Sequence, residues 1–449
     1  MQQPTVDARR HATTITSTLT GWLLLGLLLG LLMWPYQALS ELGFRLQRHL
    51  WLGAQPQLLV GCVVVFAATC LLVLLAWGPL ARGRGGGTTA LLALDRAEAS
   101  TRAEHQALWL QQLNLATQLR RLPLMVLTHL GGLAVGVESP SVALGASVLL
   151  AIRGRWPRFQ FLSALPPQLV AVIGGAAGLG AAFRSPLLAV TYGLEELGQR
   201  SGLPLVLPAL LLSGSGTLLA TTMGQPARLA GLALGPLAPQ LWGWAALVTV
   251  LGAAGGALLV RLTMAVAAWT KGLLQQRRLL GVVLLAASLT LLALLSGGLS
   301  LNDGSLSLAA ALAGDNPGPP LTLLWRGLAT VLSLAAGVPG GLMHDSMTLG
   351  ALLITPLQAF TALDRMALAQ LAAVGATALF ASTNGTPLFC AAFVFTLQGD
   401  PSLLPLLLAV SAVAAALGER WRGETWNEHQ ATSLIQSAAA VSTSSNPSP

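Results

Sequence analysis

Charge is what this sequence of 449 residues has least of. Only 9% of positions are Asp, Glu, Lys or Arg, against about 25% in soluble domains. That is too little to coat a globular surface. With 54% hydrophobic residues and a mean hydropathy of +0.70, a soluble enzyme, a disordered scaffold and a collagen-like rod are excluded. Lysine is nearly missing, with Lys271 alone among 24 basic residues. Cysteine is scarce: Cys62, Cys70 and Cys390 all lie in apolar runs. They form neither a disulfide framework nor a metal-ligand spacing, so no metal and no cofactor are expected. No cleavable leader is evident, because the first apolar run, starting near Gly21, has no plain cleavage site.

Long apolar runs are what is there. They do not alternate with polar residues as barrel strands do, so the expected fold is an all-α polytopic membrane protein. The net charge of +8 comes from arginines set between apolar stretches, as at Arg9-Arg10, Arg153-Arg155-Arg158 and Arg277-Arg278. Such loops suit an anionic leaflet of the lipid bilayer. No basic cluster accompanies a folded reader domain, so no nucleic-acid partner is expected.

Several apolar runs are shorter than the roughly 20 residues a simple span needs, and Gly or Pro bounds them, as at Gly136…Pro140 and Gly337…Gly341. Transporters use such broken helices where helix ends meet at the midplane. The pattern also occurs twice. Leu144-Gly145-Ala146 is followed by Phe183-Arg184-Ser185-Pro186-Leu187, and Leu349-Gly350-Ala351 by Asn384-Gly385-Thr386-Pro387-Leu388. Chance recurrence among so many Gly, Ala and Leu residues is the competing account. The expected organisation is a disordered N-terminus (1–14), a transmembrane domain (15–422) and a polar, disordered C-terminal tail (423–449). The two halves of the transmembrane domain run from about 60 to 225 and from about 240 to 417.

Carboxylates at membrane depth are rare and usually functional. Four stand out: Glu138, Glu195, Glu196 and Asp345. Glu138 sits in Gly136-Val137-Glu138-Ser139-Pro140 at a helix start, with Pro140 suited to the first turn. A helix N-terminus attracts anions, so a carboxylate there competes with a free anion and can leave when protonated. Simple capping would place a glutamate there too.

These segments resemble the CLC family of chloride channels and proton/chloride antiporters. Gly136 to Pro140 is similar to the family's second signature, Gly-Arg/Lys-Glu-Gly-Pro. Ala176 to Leu187, ending in Leu194-Glu195-Glu196, resembles the stretch that follows it. Gly337-Val338-Pro339-Gly340-Gly341-Leu342-Met343-His344-Asp345 resembles the third signature. The likeness runs over roughly residues 60–430, as for a divergent prokaryotic member without cytosolic regulatory domains. It implies two inverted-topology halves whose short broken helices meet at a midplane anion site. It further implies a homodimer with chloride as the bound ion, in a cell membrane such as the bacterial inner membrane. Glu138 matches the gating glutamate, and Glu196 the inner glutamate that passes protons in the antiporters. Glu195 is then a structural neighbour.

Departures from the family are concentrated where the anion would be held. The first signature, Gly-Ser-Gly-Ile-Pro, falls near Arg84-Gly85-Gly86-Gly87-Thr88, where Gly86 takes the serine's place. Leu342 and Met343 replace Ile and Phe, whose family role is backbone N–H donation, open to any residue but proline. His344-Asp345 replaces Ala-Pro. Asp345 should repel chloride unless it pairs with His344 or is protonated, and plain capping is an equal reading. Trp426 falls at the anion-binding tyrosine and offers an indole N–H, although an interfacial Trp needs no such role. Thr396 stands at the offset of Glu195 in the second half. The expected function is chloride exchanged for protons, with a passive chloride channel or a fluoride exporter as alternatives. Ser213-Gly214-Ser215-Gly216 superficially suggests a hydrolase nucleophile. It lacks a constellation with His129 or His344, so no enzyme and no catalytic residue are expected.

Overall fold

The computed structural model describes residues 6–96, 103–156, 159–197, 202–225, 233–361 and 363–444. The first half comprises α1 (Val6–Leu52), α2 (Leu58–Ala76), α3 (Thr88–Arg96), α4 (Ala103–Gln112) and α5 (Leu115–Leu130). After these come α6 (Glu138–Arg155), α7 (Gln160–Ser163), α8 (Pro167–Phe183), α9 (Pro186–Tyr192) and α10 (Val206–Thr222). A π-helical turn over Gly193–Leu197 prolongs α9. The second half holds α11 (Trp242–Gln276), α12 (Arg278–Leu295), α13 (Ser305–Leu312), α14 (Thr322–Ala336) and α15 (Met343–Ala351). It continues with α16 (Ile354–Phe360), α17 (Arg365–Asn384), α18 (Pro387–Gln398) and α19 (Leu404–Arg422), and α20 (Trp426–Ser444) closes the described chain. Among the described residues, seven helices are long and apolar enough to cross a membrane. The short α6, α8, α15 and α18 lie among them.

Local chemistry sets the helix ends. Pro186 and Pro387 open α9 and α18, where a missing N–H is harmless. The Asp364 carboxylate accepts from Ala367 N–H and starts α17. α17 stops at Gly385 in the left-handed conformation. α8 stops the same way, but its left-handed residue is Arg184 (φ 54°). That is uncommon for a residue with a Cβ. Its guanidinium donates to Gln37 at 2.9 Å and Gln225 at 3.0 Å, which fixes the turn.

Glycines let the short helices cross closely, which lipid-embedded packing favours. A Cβ on Gly145 of α6 would lie 2.1 Å from the Gly174 carbonyl oxygen of α8. A Cβ on Gly350 of α15 would lie 2.1 Å from the Gly375 carbonyl oxygen of α17. The repeat read from the sequence is thus one packing unit built twice, and the two units touch. Gly136 and Gly341 form an antiparallel bridge, each N–H donating to the other's carbonyl at 3.3 and 3.1 Å. Phe183 of α8 packs edge to face on Phe393 of α18, which joins Phe380 and Phe389 in a cluster of edge-to-face and tilted rings.

Three boundaries differ from expectation. Residues 6–14, expected to be disordered, belong to α1; residues 1–5 lie outside the described residues. The first half starts before residue 60, because α1 packs on α10, with Gly26 and Gly30 against Leu212, Ser215 and Gly216. The polar tail is helical to Ser444. Thr425 Oγ1 accepts from Glu428 N–H at 3.1 Å, and the Glu428 carboxylate accepts from Thr425 N–H at 2.7 Å. That reciprocal pair is a capping box, which starts a helix irrespective of hydropathy. Burial acts to raise the Glu428 pKa, but those bonds and the Arg96 guanidinium at 3.0 Å outweigh it and hold the carboxyl below its ordinary range.

Candidate functional site

Three chain breaks converge where the halves meet. Glu138, at the N-terminus of α6, is fully buried. Its side chain crosses the seam, and Oε1 accepts from the His344 N–H at the N-terminus of α15 (3.1 Å). Oε2 has no hydrogen-bond partner among the described residues. The N–H groups of Leu342 and Met343, beside His344, likewise have none among the described residues. The first half's carboxylate therefore sits at the positive end of a second-half helix, with two further donors open next to it.

The third break is the Gly83–Gly87 loop. Gly85 N–H donates to the Gly337 carbonyl at 3.2 Å. Buried Arg121 of α5 donates to the carbonyls of Gly83 and Gly85 at 3.3 and 3.1 Å. Arg121 also bonds Gln118 Oε1, and Gln118 bonds Ser147 at 2.8 Å. Gly86 lies in this loop against the N-terminus of α6, and a serine there would not fit. A Cβ on Gly86 would lie 2.2 Å from Ser139 Cβ and 2.9 Å from Ser139 Oγ. Ser139, which stands where the family signature has Gly, fills that space.

Asp345 is fully buried in the first turn of α15 and pairs with Arg326 of α14 rather than with His344. Arg326 Nη2 lies 2.5 Å from Asp345 Oδ1, and both side chains are shielded from solvent. Thr330 adds a bond at 3.2 Å. Arg326 also donates to the carbonyls of Leu299, Leu301 and Asn302. The His344 ring instead faces Glu138, with Nδ1 3.6 Å from Oε1. Asp345 is thus neutralised in place and sets no repulsive charge loose near the break.

The glutamate pair separates into two environments. Glu195 accepts from the N–H groups of Leu388 (3.0 Å) and Phe389 (2.6 Å), so it caps α18 of the opposite half. Glu196 is buried, and its Oε1 accepts from Asn427 Nδ2 at 2.9 Å. The first turn of α20 thus reaches Glu196 through Asn427, while Trp426 beside it is half-buried. Tyr192 lies within electrostatic reach of both Glu138 and Glu196. Its hydroxyl and that of Thr88 are close enough to interact, yet each is buried without a well-aligned partner among the described residues. No group of three or more His, Cys, Asp or Glu that could hold a metal occurs among the described residues.

Of the residues singled out in the sequence, the structure brings Glu138, Leu342 and Met343 together at the seam and buries Glu196 beside Asn427. Sequence reasoning missed Arg121, Arg326, Asn427 and Tyr192. One signal for the arginines was present: Arg121 precedes Gly136, and Arg326 precedes Gly341, by the same 15 positions.

Comparison with known proteins bears on this arrangement. The family profile described as "Voltage gated chloride channel" matches residues 94–419. Among curated protein sequences none matches. Solved structures similar to the chain include a CLC-type fluoride/proton antiporter (21% identity, TM-score 0.70, covering 92% of this chain and 98% of that one). A slow cyanobacterial Cl−/H+ antiporter is 19% identical with a TM-score of 0.70, over 94% and 98% of the two chains. A eukaryotic CLC transporter is 18% identical with a TM-score of 0.69, over 94% and 74%. At these identities the likeness establishes the shared fold.

Proposed function

The chain belongs to the family of voltage gated chloride channels, multi-pass membrane proteins of CLC-type anion transport, and from that premise we propose that it exchanges chloride for protons. One observation carries the reading: two buried glutamates, Glu138 and Glu196, both lie within electrostatic reach of Tyr192, and each accepts from one well-defined donor. A passive conductor needs no second buried carboxylate, and burying one is costly.

Glu138 occupies the helix end that an anion would take. The carboxylate is favoured there by the His344 N–H and the α15 dipole. Protonation weakens both interactions, so the side chain leaves and chloride binds the N–H groups of Leu342 and Met343. Glu196 exchanges protons with the opposite side, oriented by Asn427. The buried hydroxyls of Thr88 and Tyr192 supply side-chain donors where Gly86 has none, alongside the indole N–H of Trp426. Ser139 keeps the Gly86 loop against the α6 terminus. A homodimer in a bacterial inner membrane is the assembly we assign to it.

The test is anion flux with simultaneous pH recording in proteoliposomes loaded in turn with chloride and fluoride. Wild-type protein should move protons against a chloride gradient. Glu138→Gln and Glu196→Gln should each abolish proton movement while chloride still flows. In the same vesicles Tyr192→Phe should weaken chloride binding by about tenfold, as loss of one charge-assisted bond of about 1.5–3 kcal/mol implies. Chloride flux in the wild type without proton movement would make it a channel. Proton-coupled flux with fluoride alone would make it a fluoride exporter.

A further inference from the structure

Glu138 is sealed from water in the position observed, yet an exchanger must load and unload its proton. The side chains around it supply a route. His344 Nδ1 lies 3.6 Å from Glu138 Oε1. On the far side of the ring, His344 Nε2 lies 3.4 Å from Ser305 Oγ. Ser305 Oγ donates to Asp303 Oδ1 at 2.6 Å, and Asp303 is partly exposed to solvent. The ring is held in plane between these groups by Phe183, stacked at 6.3 Å, and by the edge of Phe393. Four side chains from three separate segments thus form one line from the buried carboxylate to the surface.

We propose that His344, Ser305 and Asp303 form a proton relay between Glu138 and the aqueous face. The proposal rests on the proton-exchange reading above. The step balances as follows. As the protonated Glu138 side chain swings back to the seam, it gives its proton to His344 Nδ1, while the Nε2 proton passes to Ser305 Oγ and the Ser305 hydroxyl proton passes to Asp303 Oδ1. Glu138 ends as carboxylate, Asp303 as carboxylic acid, Ser305 keeps a hydroxyl, and the imidazole changes tautomer. Asp303 then loses its proton to water, and return of the ring to its first tautomer resets the relay. The 3.6 Å gap exceeds hydrogen-bond reach, and a small rotation of Glu138, whose Oε2 is unpartnered, closes it.

The charges facing His344 leave this line the natural one. Asp345, next in sequence, is committed to Arg326. His129 of α5 lies within electrostatic reach of Glu138 and Asp303, but its Nε2 has no partner among the described residues and so continues no chain. Asp303 also accepts from the Ser305 N–H at 3.0 Å. An amide at 303 keeps that acceptor and starts α13, but cannot take a proton.

The experiment measures protons moved per chloride, and its pH profile, in proteoliposomes of the full chain bearing His344→Gln, Ser305→Ala or Asp303→Asn. Each variant should lower the ratio by about tenfold or more, as loss of a proton-transfer group does, and Asp303→Asn should flatten the acid limb of the profile. Should His344→Gln fail to elute as folded protein, the other two, which lie at a surface turn, decide the matter. A wild-type ratio in Ser305→Ala and Asp303→Asn overturns the relay while leaving proton exchange intact. A wild-type protein that moves no protons overturns the exchange reading and the relay with it.

Discussion

The two halves share a scaffold and differ in how each disposes of its buried charge. In both, an arginine 15 positions before the break runs under a glycine-bearing turn and binds its carbonyls: Arg121 those of Gly83 and Gly85, Arg326 those of Leu299, Leu301 and Asn302. A Cβ on Gly87 or on Gly304 would meet the respective guanidinium at 2.5 Å. In the first half that guanidinium is answered by an amide, Gln118. In the second it is answered by a carboxylate, Asp345. The first half therefore keeps its carboxylates for the partner: Glu138 docks on α15 and Glu195 on α18. Where symmetry would return the favour, the second half offers only Thr396, 3.4 Å from Ser185 at the start of α9. One half supplies the carboxylates at the seam and the other supplies the helix N-termini that receive them, an asymmetry in a fold that is otherwise built from a repeated unit.

Removing the arginines should break this comparison most sharply. Arg326→Met strands a buried carboxylate, a loss of about 3–5 kcal/mol. Arg121→Met strands only carbonyls and an amide, about 1–3 kcal/mol. Thermal unfolding in detergent should rank them so, and adding Asp345→Leu to Arg326→Met should recover most of the loss. Equal losses, or no recovery, would show that the halves treat their arginines alike. The helix crossings, by contrast, should respond equally. Gly145→Ala and Gly350→Ala each drive a methyl into a backbone carbonyl, at about 1–3 kcal/mol. Gly214→Ala, which meets nothing within 4 Å, should stay within about 0.5 kcal/mol of wild type. A crossing that tolerates alanine in one half only would end the idea of a repeated packing unit. The smallest effect belongs to Glu195→Gln, which keeps the shape of the α18 cap and loses its charge, about 0.3–1 kcal/mol. A loss as large as that of Arg326→Met would mean that Glu195 does more than cap.

What could be read from the sequence was whatever is written in local chemistry. Gly136, Gly341, Pro186 and Pro387 mark broken helices because few other residues suit those backbones. Glu138 and Glu196 stand out because a carboxylate in an apolar run is expensive. The partner of Asp345 was not legible, since Arg326 lies 19 positions upstream on another helix. A long-range carbonyl set such as that of Arg121 leaves no local trace. The fit of Gly86 depended on Ser139, two breaks brought together only by folding. The helical tail was a different kind of miss. Thr425-x-x-Glu428 is a capping signature that starts a helix although hydropathy falls after Arg422.

Mechanically, the reciprocal bonds between Gly136 and Gly341 are a rivet driven through the joint of two levers. Sliding either backbone along the other would shear both bonds at once, and both glycines are buried, so breaking the bonds is costly. The α6 and α15 ends are therefore tied to each other, and in the exchange mechanism proposed above a turn of the Glu138 side chain about its own torsions is a cheaper stroke than parting them. Throughput should then be governed by how often one side chain turns over, not by how fast two bundles rock.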